Sequence, residues 1–289
     1  MLINSIITGC MNFSVLTHGS QAFKASKKDY EEYRESILNP ERLSIREDIF
    51  FNYTVPVILR NHDLLIKSGS LLRFVVAVGE ALPKGIIKRF LDLEDNFPNI
   101  FDIRLIKECE VFDWRKKFSD DLNFIFKRNY SNNQLVPVLN FRLDDDDILF
   151  DNYFERVTRY LQTAYNGVYI SLSKGYLGIY DGGYKKFYKI VRPYLAIGLG
   201  KVSVFDSKNK IILTENPIVN NVSHAEIANK FISVIDPVDC SYVWTMHYHS
   251  DTRSVDDNKK QSDSRINRFI QDNKLIEASL QEVMSFIKV

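Results

Sequence analysis

The chain has 289 residues, of which 45% are hydrophobic and 13% aromatic, enough to fill the core of one large globular domain or two smaller ones. A net charge of +1 argues against a nucleic-acid binder driven by bulk attraction to phosphate and points to no charged partner. Three widely spaced cysteines, Cys10, Cys109 and Cys240, form no CxxC pair and have no histidine at zinc-finger spacing, so they read as reduced thiols of a cytoplasmic protein.

Residues 1–16 are apolar, but no basic leader precedes them, and Asn4, Ser5, Thr8, Gly9 and Asn12 interrupt the run, which argues against a signal peptide. Ile3 to Thr8 is expected to be a buried first strand, followed by a loop around Gly9 to Asn12. A loop in that position of an open α/β sheet commonly touches a nucleotide, so Thr8 and Asn12 are candidate nucleotide contacts, with ordinary turn residues as the alternative. Tyr30, Tyr33 and Ile37 stand at helical spacing in the polar stretch that ends at Asn39-Pro40, which reads as a surface helix or an excursion. Leu43, Ile49, Phe50, Tyr53, Val57 and Ile58 follow a helical rhythm that Pro56 should kink or stop. Leu71 to Gly79 predicts a second strand, and Pro83 opens a helix through Ile86, Ile87, Phe90 and Leu91. Phe101, Ile103 and Leu105 alternate as a third strand, and a helix is expected between Trp114 and Lys127. No stretch approaches the roughly 18 to 20 apolar residues of a membrane span.

The next apolar run, from Val136, breaks into four consecutive aspartates, Asp144 to Asp147, and turns apolar again at Ile148. Four carboxylates this close repel one another unless something screens them, and a hard divalent cation such as Mg²⁺ or Mn²⁺ suits them well. The plain alternative is a solvated acidic loop, or carboxylates favoured by a helix N-terminus. Pro137 is tolerable only near the start of the strand or facing an unpaired side. Asp151 is expected to cap a helix whose inner face is Tyr153, Val157, Tyr160, Leu161 and Ala164. Val168 to Leu172, Leu177 to Tyr180, Phe187 to Val191 and Leu195 to Phe205 then read as an antiparallel meander, punctuated by Lys174-Gly175 and Asp181-Gly182-Gly183. Ser223-His224-Ala225-Glu226 has capping-box spacing, Tyr242 to His247 reads as another strand, Ser250 to Asp263 as a polar loop, and Ser264 to Val289 as terminal helices. The pattern predicts an α/β, Rossmann-type sandwich with a mostly parallel central sheet, an antiparallel β meander and a helical C-terminal tail. The expected division is a domain over 1–255 with a tail over 256–289 packed on it. Ligands of such sheets bind beyond the carboxyl ends of the strands, where the aspartates fall.

A strand ending in Asp-x-Asp after three strand and helix units resembles the metal site of GT-A glycosyltransferases. The block Phe141-Arg142-Leu143-Asp144-Asp145-Asp146-Asp147-Ile148-Leu149 resembles the rhamnosyltransferase family of bacterial polysaccharide synthesis. So do Leu72-Arg73-Phe74-Val75-Val76-Ala77-Val78, Asn216-Pro217 and His224, and the likeness covers roughly residues 3–255. It implies a GT-A-like fold, a nucleotide-sugar donor carrying L-rhamnose or another deoxysugar, a saccharide or lipid-linked saccharide acceptor, and a divalent metal, Mn²⁺ or Mg²⁺. Asp144 and Asp146 become the Asp-x-Asp pair, Asp146 the direct ligand and Asp144 nearer the ribose or a metal-bound water, while Asp145 and Asp147 can exchange these roles. Arg142 is then either a fixed positive charge for the nucleotide or a partner of the aspartates. The late histidine ligand of GT-A enzymes is matched by His247, ahead of His249 on the same expected strand face, against the reading that both are ordinary exposed histidines. For the base of an inverting transfer, Glu215 is preferred, then Asp181, which is also a normal turn residue. His224 is a contact to acceptor or phosphate, or structural. The expected location is the cytoplasm, with attachment to the inner membrane face left open. The competing functions are a sugar-nucleotide nucleotidyltransferase, whose Gly-rich phosphate loop is missing near the N-terminus, and a non-catalytic cation-binding protein of the same fold.

Overall fold

The computed structural model describes residues 4–17, 29–129, 135–215, 226–250 and 259–287. β1 (Ser5–Phe13) lies in the middle of the sheet and runs past the turn expected at Gly9 to Asn12. Gly9 opens no turn. A Cβ there would come within 2.2 Å of the Phe74 ring and 2.6 Å of the Phe141 ring, so this glycine is the space into which two core rings fit. The expected loop is therefore strand. Thr8 lies in mid-strand, and Asn12 at its exposed end.

α1 (Tyr30–Ile37) buries Tyr33 and Ile37, as their spacing predicts. Asn39 caps α2 (Pro40–Ile49), its side chain accepting the N–H groups of Glu41 at 3.0 Å and Arg42 at 3.1 Å. Pro56 does not stop this helix. A π-helical turn over Phe50–Thr54 widens the backbone just ahead of the proline, and the chain continues as α3 (Val55–Lys67). Then come β2 (Ser70–Gly79), α4 (Lys84–Asn96), β3 (Phe101–Ile106), α5 (Trp114–Asn129) and β4 (Leu135–Arg142). These strands stand in the order β3-β2-β1-β4 and all run parallel. Pro137 costs little because pairing with β1 begins one residue later, at Val138. One face of this half packs Ile7, Met11, Phe13 and Phe74 against the helices around Phe50 and Phe90, and the other packs Ile6, Val136 and Val138 against Phe118, Leu122 and Ile125 of α5.

The second half is largely antiparallel. It holds β5 (Ile148–Leu149), α6 (Asp151–Thr158), β6 (Tyr169–Tyr180), β7 (Tyr184–Val191), β8 (Leu199–Asp206), β9 (Ile211–Ile212), α7 (Ile227–Lys230) and β10 (Ser233–Met246). β8 joins the halves by pairing antiparallel with β4 and β6. Lys174-Gly175 does not divide β6, because the Tyr242 ring sits 2.4 Å from where a Cβ on Gly175 would be and holds the strand flat against it. α6 ends at Thr158, so Tyr160, Leu161 and Ala164 are not on it. Asp151 is its first residue rather than its cap, and the carboxylate meets Asn61 at 2.7 Å and Arg60 at 3.2 Å. In the tail, α8 (Lys259–Asp272) is followed by β11 (Ile276–Ala278), a strand where helix was expected, which pairs with β7, and by α9 (Leu280–Ile287). Val283 and Ile287 of α9 are buried beside Phe150 and Tyr176. Among the described residues no helix is long and apolar enough to cross a membrane.

Candidate functional site: the acidic turn

β4 delivers the aspartates to the carboxyl edge of the parallel strands. The Leu143 N–H still donates to the Cys10 carbonyl at 3.1 Å, and the turn closes where the Asp147 N–H donates to the Asp144 carbonyl at 3.2 Å. β5 then leaves antiparallel to β10, Ile148 opposite Val243, and this pairing brings the end of β10 over the turn.

The four carboxylates alternate in environment. Asp144 is exposed enough to face solvent, and its Oδ1 takes a fork from Arg142, Nε at 3.0 Å and Nη2 at 2.8 Å. Asp145 is buried, paired with Arg46 and accepting the Ser14 N–H at 3.3 Å. Asp146 is partly open, and its Oδ2 lies 3.0 Å from Arg46 Nη2 and 3.1 Å from His247 Nε2. Asp147 is buried and accepts the Thr245 N–H at 2.9 Å. The repulsion expected among these groups is therefore relieved in part by arginines of the chain itself. Burial opposes ionisation of Asp146, but Arg46 and the His247 hydrogen bond outweigh it and hold the carboxyl below the usual range. Burial, then the charges of Asp146 and Asp144, push Asp147 well above that range. Asp144 and Asp146 are the more open of the four carboxyl groups, while Asp147 lies buried beneath them.

A pH-dependent prediction follows for Asp147→Asn. Asparagine keeps the acceptor for Thr245 but cannot ionise. Because the native pKa of Asp147 is raised above its ordinary value of 3.8, ionisation in the unfolded chain draws stability from the wild type as pH rises from there toward the native pKa. The variant should match the wild type near pH 4 and gain on it steadily as pH rises. Parallel thermal melts across the pH range check this, and a gap that shrinks with rising pH contradicts it.

His247 lies just past β10 and is fully buried, in a tight turn where its carbonyl accepts the Ser250 N–H at 3.1 Å. Its Nδ1 accepts the His249 N–H at 3.2 Å, so the ring proton sits on Nε2 and points at Asp146. Burial lowers its pKa and keeps the ring neutral, although Asp146 pulls the other way. The two histidines do not share a strand face, as an extended continuation would require. The turn sends His249 away to Glu41, 3.1 Å distant.

The structure thus gathers Arg142, Asp144, Asp145, Asp146 and His247. Thr8 is elsewhere: its hydroxyl donates to the Leu139 carbonyl at 3.2 Å and accepts Asn140 Nδ2 at 3.1 Å, inside the sheet. Asn12 is nearer, at the exposed end of β1 and two residues before Ser14, whose N–H meets Asp145. Asp181 is exposed in the turn after β6. Since Met246 pairs with Ile179, that turn stands beside the strand end bearing His247. Glu215 is exposed beside β8, its carbonyl accepting Lys201 Nζ at 3.2 Å, and Lys201 pairs with Asn140 rather than with the strand end. His224, Asn216-Pro217 and most of the loop after Ser250 lie outside the described residues. Sequence reasoning missed Arg42, Arg46, Ser14 and Thr245. Arg42 and Arg46 are 3% and 2% exposed, one helical turn apart on α2, and Arg42 Nη1 donates to Ser14 Oγ at 2.9 Å and to the Ile37 carbonyl at 3.0 Å.

Residues 6–259 match a protein family described as putative rhamnosyl transferase. No curated protein matches the chain. Among solved structures it is similar to a putative glucose-1-phosphate thymidylyltransferase from Bacillus anthracis in complex with sucrose, at 10% identity over 82% of this chain and 88% of that one, with a TM-score of 0.35. It is also similar to the inositol-1-phosphate CTP transferase from T. maritima, at 10% identity over 91% and 96%, with a TM-score of 0.33. A third likeness is to a mannosyltransferase from Pyrobaculum calidifontis in complex with GDP-Man and Mn²⁺, at 14% identity and a TM-score of 0.26. This covers 58% of the present chain but 35% of the mannosyltransferase.

Proposed function

The chain belongs to the putative rhamnosyl transferase family, and we propose that it moves L-rhamnose or another deoxysugar from a nucleotide-sugar donor to a saccharide or lipid-linked saccharide acceptor in bacterial surface-glycan synthesis, with inversion. The observation that carries this reading is the meeting of Asp146 with His247, 101 residues apart within the matched span, at the carboxyl edge of the parallel strands.

The donor set of the acidic turn fits a divalent cation. Among the described residues no three His, Cys, Asp or Glu side chains are clustered to hold a metal. Mg²⁺ and Mn²⁺ nevertheless take one or two protein ligands and complete their shell with substrate phosphate and water, and a carboxylate with an imidazole suits Mn²⁺. Asp146 and His247 are the proposed ligands. Bound there, the cation supplies Lewis-acid neutralisation of the charge that builds on the departing diphosphate. Ligation through His247 Nε2 requires the ring proton to pass to Nδ1, which gives up the His249 N–H. Asp144, oriented by the Arg142 fork and open to solvent, is placed to accept the ribose hydroxyls or a metal-bound water. Arg142 brings positive charge to the same edge, and Asn12 borders it. For the base that takes the acceptor proton, the position of Asp181 beside the His247 strand end now favours it over Glu215.

The test is thermal denaturation with Mn²⁺ and UDP-, TDP- or GDP-sugars in turn. A ligand bound only by the native state at about 100 times its Kd stabilises by roughly 2.7 kcal/mol, or about 4 to 5 °C for a chain this size. One nucleotide should give that shift. No shift with any of them would favour a non-catalytic cation-binding protein.

A further inference from the structure

Arg46 has an unusual position for an arginine. It is 2% exposed, lies on the inner face of α2, and straddles two neighbouring carboxylates, Asp145 through Nη1 and Asp146 through Nη2 at 3.0 Å. The helix that carries it is held at the site independently. Arg42, one turn earlier, is tied to Ser14 and Ile37, and about two turns later in the continuous helix the Thr54 hydroxyl donates to the Asp147 carbonyl at 3.3 Å. The guanidinium is thus held against the same Asp146 oxygen that His247 faces.

The reading of Asp146 and His247 as metal ligands, on which this inference rests, sets up a conflict of charges. A divalent cation taken up by that carboxylate would stand within a few ångströms of a buried guanidinium, where like charges interact strongly. One carboxylate oxygen cannot serve both fully. A diphosphate changes the balance, because its oxygens offer an arginine the bidentate partner it otherwise finds in the aspartates. We propose that Arg46 is the resident counter-cation of the acidic turn, excluding a divalent metal from Asp146 until the diphosphate of the donor arrives to take over its guanidinium. Metal and nucleotide then bind as a unit, each admitting the other, and the nucleotide-free protein stays poor in metal while its acidic turn remains neutralised.

Mn²⁺ retained by the full-length protein on ultrafiltration, against a protein-free control, tests this without any measurement of transfer. In wild type, Mn²⁺ alone should be held weakly, and UDP, TDP or GDP should tighten it by about tenfold or more, the factor that corresponds to 1.4 kcal/mol of coupling. Arg46→Gln should hold Mn²⁺ without nucleotide about tenfold more tightly than wild type, and the added effect of the diphosphate should shrink. Arg46→Lys, whose point charge cannot fork across two carboxylates, should fall between and keeps the test available should the glutamine variant not fold. Arg34→Gln removes a distant exposed arginine paired with Glu108 and should change nothing. Equal Mn²⁺ binding by wild type and the folded Arg46 variants, or the same gain in Arg34→Gln, overturns the inference. It would leave the ligand assignment standing wherever wild type with nucleotide holds Mn²⁺ and Asp146→Ala does not. If wild type holds no Mn²⁺ with any of the three diphosphates, both fall.

Discussion

Asp146→Ala is expected to lower sugar transfer by about 10³-fold or more, the scale on which single preorganised electrostatic groups act on developing charge. The expectation comes from the crowding of roles on one carboxylate. Its Oδ2 faces both His247 and Arg46, and the other open carboxylate, Asp144, has its Oδ1 held by the Arg142 fork. No neighbour can substitute. Asp145 and Asp147 are buried, the first against Arg46 and Ser14, the second beneath Thr245. The fold should survive. Arg46 keeps Asp145, and the lost Asp146 pair is offset by removal of the charge that, after burial, does most to raise the Asp147 carboxyl. Circular dichroism should show native structure, while the nucleotide-dependent rise in melting temperature disappears. Asp144→Ala should be milder, and full activity in the double variant would remove the acidic turn from the mechanism.

What was legible beforehand follows from which interactions are local in sequence. The aspartate run, the strand that delivers it and the parallel half announced themselves through periodicity and composition, which act over a few residues. Arg46 did not, although its signal was present. The apolar rhythm Leu43, Ile49, Phe50, Tyr53 leaves a gap on the inner face, and Arg46 fills it, with Arg42 one turn before. An arginine at a core position of an amphipathic helix is a request for buried carboxylates, and the chain has one place where carboxylates are in surplus. Gly9 and Gly175 misled for the opposite reason. They look like turn residues, but distant aromatic rings, Phe74 and Phe141 over one and Tyr242 over the other, occupy the space their missing side chains leave. Asp102 likewise sits fully buried in an alternating strand because Arg73 and Lys117 come from elsewhere to meet it, Lys117 Nζ at 2.7 Å. In each case the deciding partner is far away along the chain. The same holds for His247, whose partner Asp146 lies 101 residues away in the sequence and meets it where β10 pairs with β5.

That pairing has its own anchor, and Arg156→Met should show how much rests on it by costing about 3 to 5 kcal/mol, the usual penalty for stripping one partner from a buried ion pair. Arg156 is on α6, which begins directly after the acidic turn and β5. Asp236 is on β10, the strand that ends at His247. The guanidinium grips Asp236 in a fork, Nε to Oδ2 at 3.0 Å and Nη2 to Oδ1 at 2.6 Å, with Nη1 reaching Asp239 at 3.0 Å. The Tyr160 hydroxyl donates to the same Asp236 carboxylate at 2.8 Å, and the Val238 N–H at 3.1 Å. Burial opposes ionisation of Asp236, but these donors outweigh it and hold the carboxyl below its ordinary value. Its contribution to stability is therefore present above the ordinary carboxylate pKa of 3.8 and is lost as pH falls through the lower native value. In Arg156→Met the charge is left buried without its main partner, so the deficit against wild type should be largest near neutrality and narrow on acidification. Asp236→Asn keeps acceptors for Tyr160 and Val238 while removing the charge. The double variant should then cost far less than the sum of the singles, with a coupling of at least about 2 kcal/mol. Denaturant unfolding of the four proteins at pH 7 and pH 4 measures all of this. Additive costs would mean that α6 and β10 are held by packing alone, and that the alignment of Asp146 with His247 does not depend on this pair.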